Sequence, residues 1–314
     1  MSAASPATET AGAGPDLSVE AERAVARRFM GGIQWQMIAQ GLGQVSLWFT
    51  NWYLVLAGTV PLWGGFLIAT FCACLAYLPS HEGQHGNLSG RRKGLRWLDS
   101  WVGHLTLITL ATSHEVLRIT HMKHHAFTND PDGDVDILSS GEHWWQPALG
   151  VHRKVPEHIM ARHLEDPAFV AALQKGVPVV KAYGLLQLVL VVFLPLETLL
   201  LWWLPRKIAL SYLAVFFSWL PHHPARATGR YRDTRFWRIR LPRWLDQSMQ
   251  THVIHHLYPG IPHWKEPAAM EALRPFMIER GVPGATEIPD RVRFNALMAD
   301  RGTVRDLDAS RADR

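Results

Sequence analysis

The apolar positions of this chain fall into two long blocks. From Phe29 to Ser80 there are 52 consecutive residues without Asp, Glu, Lys or Arg, a run that water-soluble domains very rarely show. The block is long enough for two helices of about 20 residues, each crossing a hydrocarbon core at a helical rise of about 1.5 Å per residue. Gly58 to Pro61 is the natural break, so the pattern predicts spans over 34–57 and 61–80. A second block over 182–221 is interrupted at Leu204-Pro205-Arg206-Lys207 and predicts spans over 182–204 and 207–221, the former carrying Glu197. Residues 100–113 are apolar but too short to cross, and read as an interfacial or re-entrant helix.

The polar remainder sets the organisation. Residues 1–17 read as a disordered tail without a secretory signal, 18–280 as one membrane domain and 281–314 as a polar C-terminal tail. Most Lys and Arg lie in 81–180 and 222–314, so the positive-inside rule places those segments and both termini in the cytoplasm. Arg206-Lys207 then falls on the far side as a local exception. The expected fold is all-α and integral to the membrane: four transmembrane helices in two hairpins, with a cytoplasmic helical cap.

Composition narrows the chemistry. Two cysteines, Cys72 and Cys74, exclude a disulfide framework and a Cys-based zinc or iron–sulfur site, and read as packing residues. The 17 histidines are the unusual count. Eight of them form three groups: His81 and His85; His121, His124 and His125; His252, His255 and His256. Spacings of three and four put side chains on one helical face, so each group offers two or three imidazoles to one point. A further candidate lies in Leu220-Pro221-His222-His223-Pro224. Eight imidazoles exceed what one metal needs, so two metals sharing the set is the natural reading. In the expected topology all four histidine segments fall on one membrane face. The His81-Glu82-x-x-His85 spacing also matches the His-Glu-x-x-His of hydrolytic zinc sites, but leaves six clustered histidines unexplained. A histidine-rich metal transporter would place ligands at mid-span rather than at span ends.

These three boxes between apolar spans resemble the membrane fatty-acid desaturase superfamily, which includes acyl-lipid desaturases and carotenoid-ring ketolases and hydroxylases. The stretch from His124-His125-Ala-Phe-Thr to Asp136 and the His255-His256-Leu-Tyr-Pro-Gly-Ile-Pro262 segment are similar to those of desaturases, whereas Leu220-Pro221-His222-His223-Pro224 is similar to bacterial carotenoid ketolases. The resemblance implies a non-haem diiron centre that uses O2, with ligands His81, His85, His121, His124, His125, His252, His255 and His256. The extra ligand is His222 or His223, with His222 favoured. Acyl-chain desaturation is the activity it implies first; ring hydroxylation or ketolation of a carotenoid is the alternative.

Carboxylates that accept the distal N–H of a ligating imidazole orient it, and Glu82, Glu115, Asp132, Asp134 and Asp136 are the candidates. His104 and His114 read as interfacial polar residues rather than ligands. With no haem-binding extension and no cluster cysteines, electrons have to come from an external ferredoxin-like or cytochrome-type donor. Seven arginines from Arg226 to Arg243, with Arg91, Arg92, Lys93 and Arg96, read first as anchors to anionic headgroups and second as a docking face for an acidic donor. Net charge is +5, but nucleic-acid binding is not expected of a basic stretch set against a membrane span.

Overall fold

The structure is a computed structural model and describes residues 16–237 and 249–287. The described chain is helical, with no strand among these residues. In chain order the helices are α1 (Val19–Arg27), α2 (Trp35–Leu56), α3 (Leu62–Gln84, bent at Ala76), α4 (Arg96–Thr106), α5 (His114–Phe127), α6 (Trp145–Gly150), α7 (Glu157–Leu164), α8 (Pro167–Phe193), α9 (Pro195–His222), α10 (His252–Leu257) and α11 (Glu266–Glu279).

Three of these, α3, α8 and α9, are long and apolar enough to cross a membrane. The first expected span is a 22-residue helix, α2. It carries no charge, but Gln36, Gln40, Gln44 and Asn51 make it less apolar than the other three. Two of those polar side chains are used between helices: Gln44 donates to the Thr106 carbonyl at 3.0 Å and Asn51 to the Gly65 carbonyl at 2.9 Å. Trp48 and Trp202 likewise donate their indole N–H groups to the Leu201 and Ile108 carbonyls. Polar groups that depend on helix carbonyls in this way suit a helix bundle in lipid. Leu185, Leu188, Val192 and Phe193 on α8 face outward with more than three fifths of their surface exposed, and lipid rather than water is the solvent that suits them.

The second apolar block breaks at Leu194-Pro195 and not at Pro205-Arg206-Lys207. Leu194 leaves the helical region at φ −138°, ψ 61°, as a residue preceding proline tends to do, and Pro195 opens α9 at its first turn. Pro205 is absorbed because Leu199–Trp203, ending two residues before it, form a π-helical turn in which the regular ladder is already interrupted. The helices are therefore 167–193 and 195–222 instead of 182–204 and 207–221, and Arg206-Lys207 lies inside α9. The 100–113 segment is α4 followed by a 3₁₀ turn, Leu107–Leu110, that ends on Ala111 at φ 48°. Val102, Leu107 and Leu110 are buried, whereas Trp97 and Trp101 are exposed.

Two packing regions position the histidine-bearing helices. Cys72 packs with Trp48, Trp52, Leu201 and Trp202 between α2, α3 and α9. A second core joins α1, α10 and α11 through Phe29, Ile254, Leu273 and Met277. At its edge Glu22 of α1 is fully buried and accepts hydrogen bonds from Tyr258 at 2.6 Å, from Tyr231 at 3.1 Å and from the Arg280 guanidinium. Val282 and Ala285 belong to the same core, so packing runs past the boundary expected at 280. Most of the two expected tails, 1–15 and 288–314, lies outside the described residues, as do Arg238, Arg240 and Arg243.

Candidate metal centre

Four helix segments converge on one point. The C-terminal end of α3 brings His81 and, just after it, His85; α5 brings His121, His124 and His125; the last residue of α9 is His222; α10 brings His252, His255 and His256. The i, i+3 and i, i+4 spacings do what helical geometry requires, stacking imidazoles along one face of each short segment.

Two groups of nitrogen donors result. His81, His85, His121 and His255 form one, and His124, His222 and His256 the other; within each group the ligand atoms lie within 4.8 Å of one another. His125 borders both, with its Nε2 3.0 Å from the Nε2 atoms of His121 and His255 and its ring centroid 4.3 Å from that of His256. His252 lies against His255 and His256, at centroid distances of 5.0 and 4.9 Å. All nine expected histidines are thus brought together. Of the two candidates for the extra position, His222 is in the centre and His223 is outside it, with Nδ1 3.2 Å from the Gly141 carbonyl and its ring on Trp219.

The donor chemistry fits metal ions. His81 has both ring nitrogens buried without a hydrogen-bond partner, as are His252 Nδ1 and His256 Nε2. Buried polar atoms left this way cost about 1–3 kcal/mol each. Pairs of Nε2 atoms face one another at 3.0 Å between His85 and His121 and at 3.2 Å between His124 and His222. Two lone pairs that close repel unless a cation or proton lies between them. Burial, and next the neighbouring imidazoles, hold His85, His121, His125 and His255 well below the ordinary histidine range, which keeps them in the neutral form a metal takes.

His124 differs. Burial works to lower it too, but the Asp134 carboxylate, 2.9 Å from Nδ1, overrides this and pushes it up to about 9. With Nδ1–H directed at Asp134, Nε2 is the atom aimed at the centre. Asp134 is itself fixed by the backbone N–H groups of Asn129 and Asp136. Similarly, the Asp233 carbonyl lies 3.0 Å from His222 Nδ1.

The other expected carboxylates separate. Asp136 stands 3.9 Å from His124 Nδ1, behind Asp134. Asp132 is turned to the surface, its side chain 77 % exposed, with His158 3.6 Å away, and orients no box histidine; the Asp130–Asp134 turn points it out. Glu115 bonds His104 at 2.8 Å and Ser113, away from the centre. Glu82 is fully buried, near His263, Asn87 and Glu266, and no box histidine bonds its carboxylate. His114 is no interfacial residue: it is buried, bonded to Ser80 at 3.0 Å and packed on Gly103. Sequence reasoning missed Glu266, fully buried on α11 with its carboxylate 3.2 Å from His263 Nδ1 and 3.8 Å from His255 Nδ1. The only available signal was an acid at i+3 from a histidine, which is common on ordinary helices.

Gly83, inside the first box, is a packing requirement. A Cβ there would sit 2.6 Å from the Asp99 carbonyl oxygen of α4, and backbone cannot step aside cheaply. Gly83→Ala is expected to lower stability by about 1–3 kcal/mol and to displace His81 and His85, read as a lower unfolding midpoint in detergent and a reduced metal content.

The arginine run is partly structural. Arg230 donates to the Leu257 carbonyl at 3.0 Å and Arg235 to the Leu220 carbonyl at 3.1 Å, so each braces the C-terminal end of a box-bearing helix. Beside them a polar cleft of about 590 Å³, lined by His125, His256, Thr228, Arg230 and Asp233 among others, opens from the centre on one side. On another side a separate cavity of about 190 Å³ runs from His81, His124 and His252 along the α9 wall.

The sequence is similar to those of known proteins. An omega-3 fatty acid desaturase, chloroplastic, of Ricinus communis is 25% identical over 283 residues, covering 77% of this chain and 58% of the relative. An sn-1 acyl-lipid omega-3 desaturase (ferredoxin) of Synechocystis sp. is 22% identical over 237 residues, covering 65% and 64%. A temperature-sensitive sn-2 acyl-lipid omega-3 desaturase (ferredoxin), chloroplastic, of Arabidopsis thaliana is 24% identical over 289 residues, covering 76% and 61%. The chain thus spans about three fifths of the length of the curated relatives it matches. The sequence profile of the fatty acid desaturase family matches residues 57–285, which include every histidine of the two groups. On that match, over well more than half its length, the chain belongs to the fatty acid desaturase family.

Proposed function

We propose that this protein is an O2-dependent, non-haem diiron desaturase that introduces a double bond into the acyl chain of a membrane lipid. The observation that carries the reading is the pair of adjoining histidine groups, seven donors with His125 and His252 at their borders. An all-nitrogen donor set suits iron among other borderline metals, and membership of the fatty acid desaturase family favours iron among them. Iron with dioxygen supplies an oxidant able to take hydrogen from an unactivated CH2, which no side chain does. The balance is one –CH2–CH2– unit, O2, two electrons and two protons going to –CH=CH– and two waters. Two electrons therefore come from outside, and ferredoxin-dependent relatives support a ferredoxin-type donor.

The chain's own part is placement. Asp134 and the Asp233 carbonyl orient His124 and His222. The 190 Å³ cavity, walled by Leu210, Leu213 and Phe217, offers an acyl chain a largely apolar approach to the histidines, and α2, α3, α8 and α9 are read as the four spans, in two hairpins, with both termini on the cytoplasmic side. The polar cleft beside His125 and His256 is read as the donor side.

Whole-lipid mass spectrometry of a host that supplies both acyl lipids and β-carotene tests this, with the His124→Ala variant as control and metal analysis of the purified protein. Loss of two hydrogens from an acyl chain in the wild type only, with one iron per histidine group, is the expected result. Oxygen added to the carotenoid would transfer the same centre to a ring hydroxylase or ketolase. Zinc in place of iron, with hydrolytic activity, would overturn the reading.

A further inference from the structure

Arg206 lines the end of the apolar cavity away from the buried histidines. The inner end is closed by His81, His124 and His252, all at least nine-tenths buried, and Leu210 and Phe217 form the wall between. Arg206 is part-exposed, and so are Thr112 and Val151 beside it, so the cavity opens there. Its Nε donates to the Leu110 carbonyl at 2.6 Å, the last residue of the 3₁₀ turn, which holds the guanidinium in place. Among the described residues no carboxylate pairs with it, and none bonds its two terminal nitrogens.

The surroundings of Arg206 add positive charge. Ser211, one turn further along α9, donates to the Ala148 carbonyl and bonds His152, which ties the end of α6 to the cavity mouth. Partial burial, then the charges of Lys207 and Arg206, hold His152 below its ordinary range. Arg153 and Lys154 follow on the exposed loop. On the outer face of α6, Trp144, Trp145 and Leu149 are exposed, the composition of a helix lying in a membrane interface. A guanidinium fork without a counter-ion, at the outer end of an apolar slot, is left with one kind of natural partner. That partner is a planar or tetrahedral oxyanion joined to a hydrocarbon chain.

We propose that Arg206 is the headgroup subsite of this enzyme and binds the oxyanion of an anionic acyl lipid whose chain fills the cavity toward the histidines. The proposal rests on the acyl-lipid reading above and adds a substrate class to it. A neutral carotenoid would leave this arginine unpaired.

The test is displacement of a fluorescent acyl probe from the purified, iron-loaded full chain in detergent. The competitors are phosphatidylglycerol, oleate, methyl oleate, a neutral diacylglycerol and β-carotene. The two charged ligands are expected to compete at roughly tenfold lower concentration than their neutral counterparts. Phosphatidylglycerol alone would identify a lipid phosphate as the source, and oleate alone a free carboxylate. Arg206→Gln should level the series, Arg206→Lys should keep part of the preference, and Lys207→Gln, whose amine lies over Trp203, should leave it unchanged. Equal competition by charged and neutral acyl ligands, or a preference that persists in Arg206→Gln, would overturn the subsite alone. Displacement by β-carotene and by none of the acyl ligands would overturn the acyl-lipid reading itself, and the subsite with it.

Discussion

Replacing His255 or His124 by alanine is expected to abolish turnover while the protein still inserts into the membrane. His255 is fully buried, sits in the first donor group, and places Nε2 3.0 Å from that of His125. His124 belongs to the second group, with the Asp134 carboxylate 2.9 Å from its Nδ1. Removing an orienting partner of a metal ligand already costs about 10- to 100-fold, so losing the ligand itself should cost roughly a thousandfold or more. Metal analysis should show less than the wild-type iron in each variant. Asp134→Asn is the graded comparison: it keeps an oxygen toward Nδ1 but removes the charge, and should fall in that 10- to 100-fold range. Full activity in either alanine variant would remove the diiron assignment.

Glu22→Ala is expected to be among the most destabilising substitutions far from the centre, at about 3 kcal/mol. The carboxylate is completely buried and collects the Tyr258 and Tyr231 hydroxyls and the Arg280 guanidinium. Truncation leaves two hydroxyls and a mostly covered cation without their acceptor. Glu22→Gln should recover part of the loss, because one carbonyl oxygen remains. Unfolding midpoints of the three proteins in the same detergent decide it, and a Glu22→Ala midpoint equal to wild type would mean that the clamp contributes nothing.

The site was more legible in the sequence than the path of the chain around it. Imidazoles three and four apart share a helical face whatever the tertiary structure, so the 81–85, 121–125 and 252–256 groups could be recognised locally. Their meeting point followed from placing both α3 and α9 ends on one membrane side. Charge counting misled at Arg206-Lys207, because a Pro-Arg-Lys run looks like a turn. The π-helical turn that absorbs Pro205, and the Leu110 carbonyl that receives Arg206, are tertiary facts. The carboxylates show the same limit. Asp132 and Asp134 are two apart and chemically identical, yet one faces outward and the other faces His124, depending on how a five-residue turn closes. Glu266 reaches the centre from a helix whose docking only the folded chain reveals.

The Glu22 clamp also sets an order of events at the ribosome. Helix α1 is made near the beginning of the chain, but the side chains that complete its carboxylate come from positions 231, 258 and 280. Domains generally form in the order of synthesis, and contacts this distant in sequence close late. The Glu22 contacts of α1 are therefore expected to close only after the third histidine group and α11 have been made. The same late segment carries His252, His255 and His256, so both donor groups remain incomplete over that interval. On the proposed diiron reading, metal loading is expected of the finished chain, and a nascent chain stalled before residue 252 should carry neither the clamp nor both complete histidine groups.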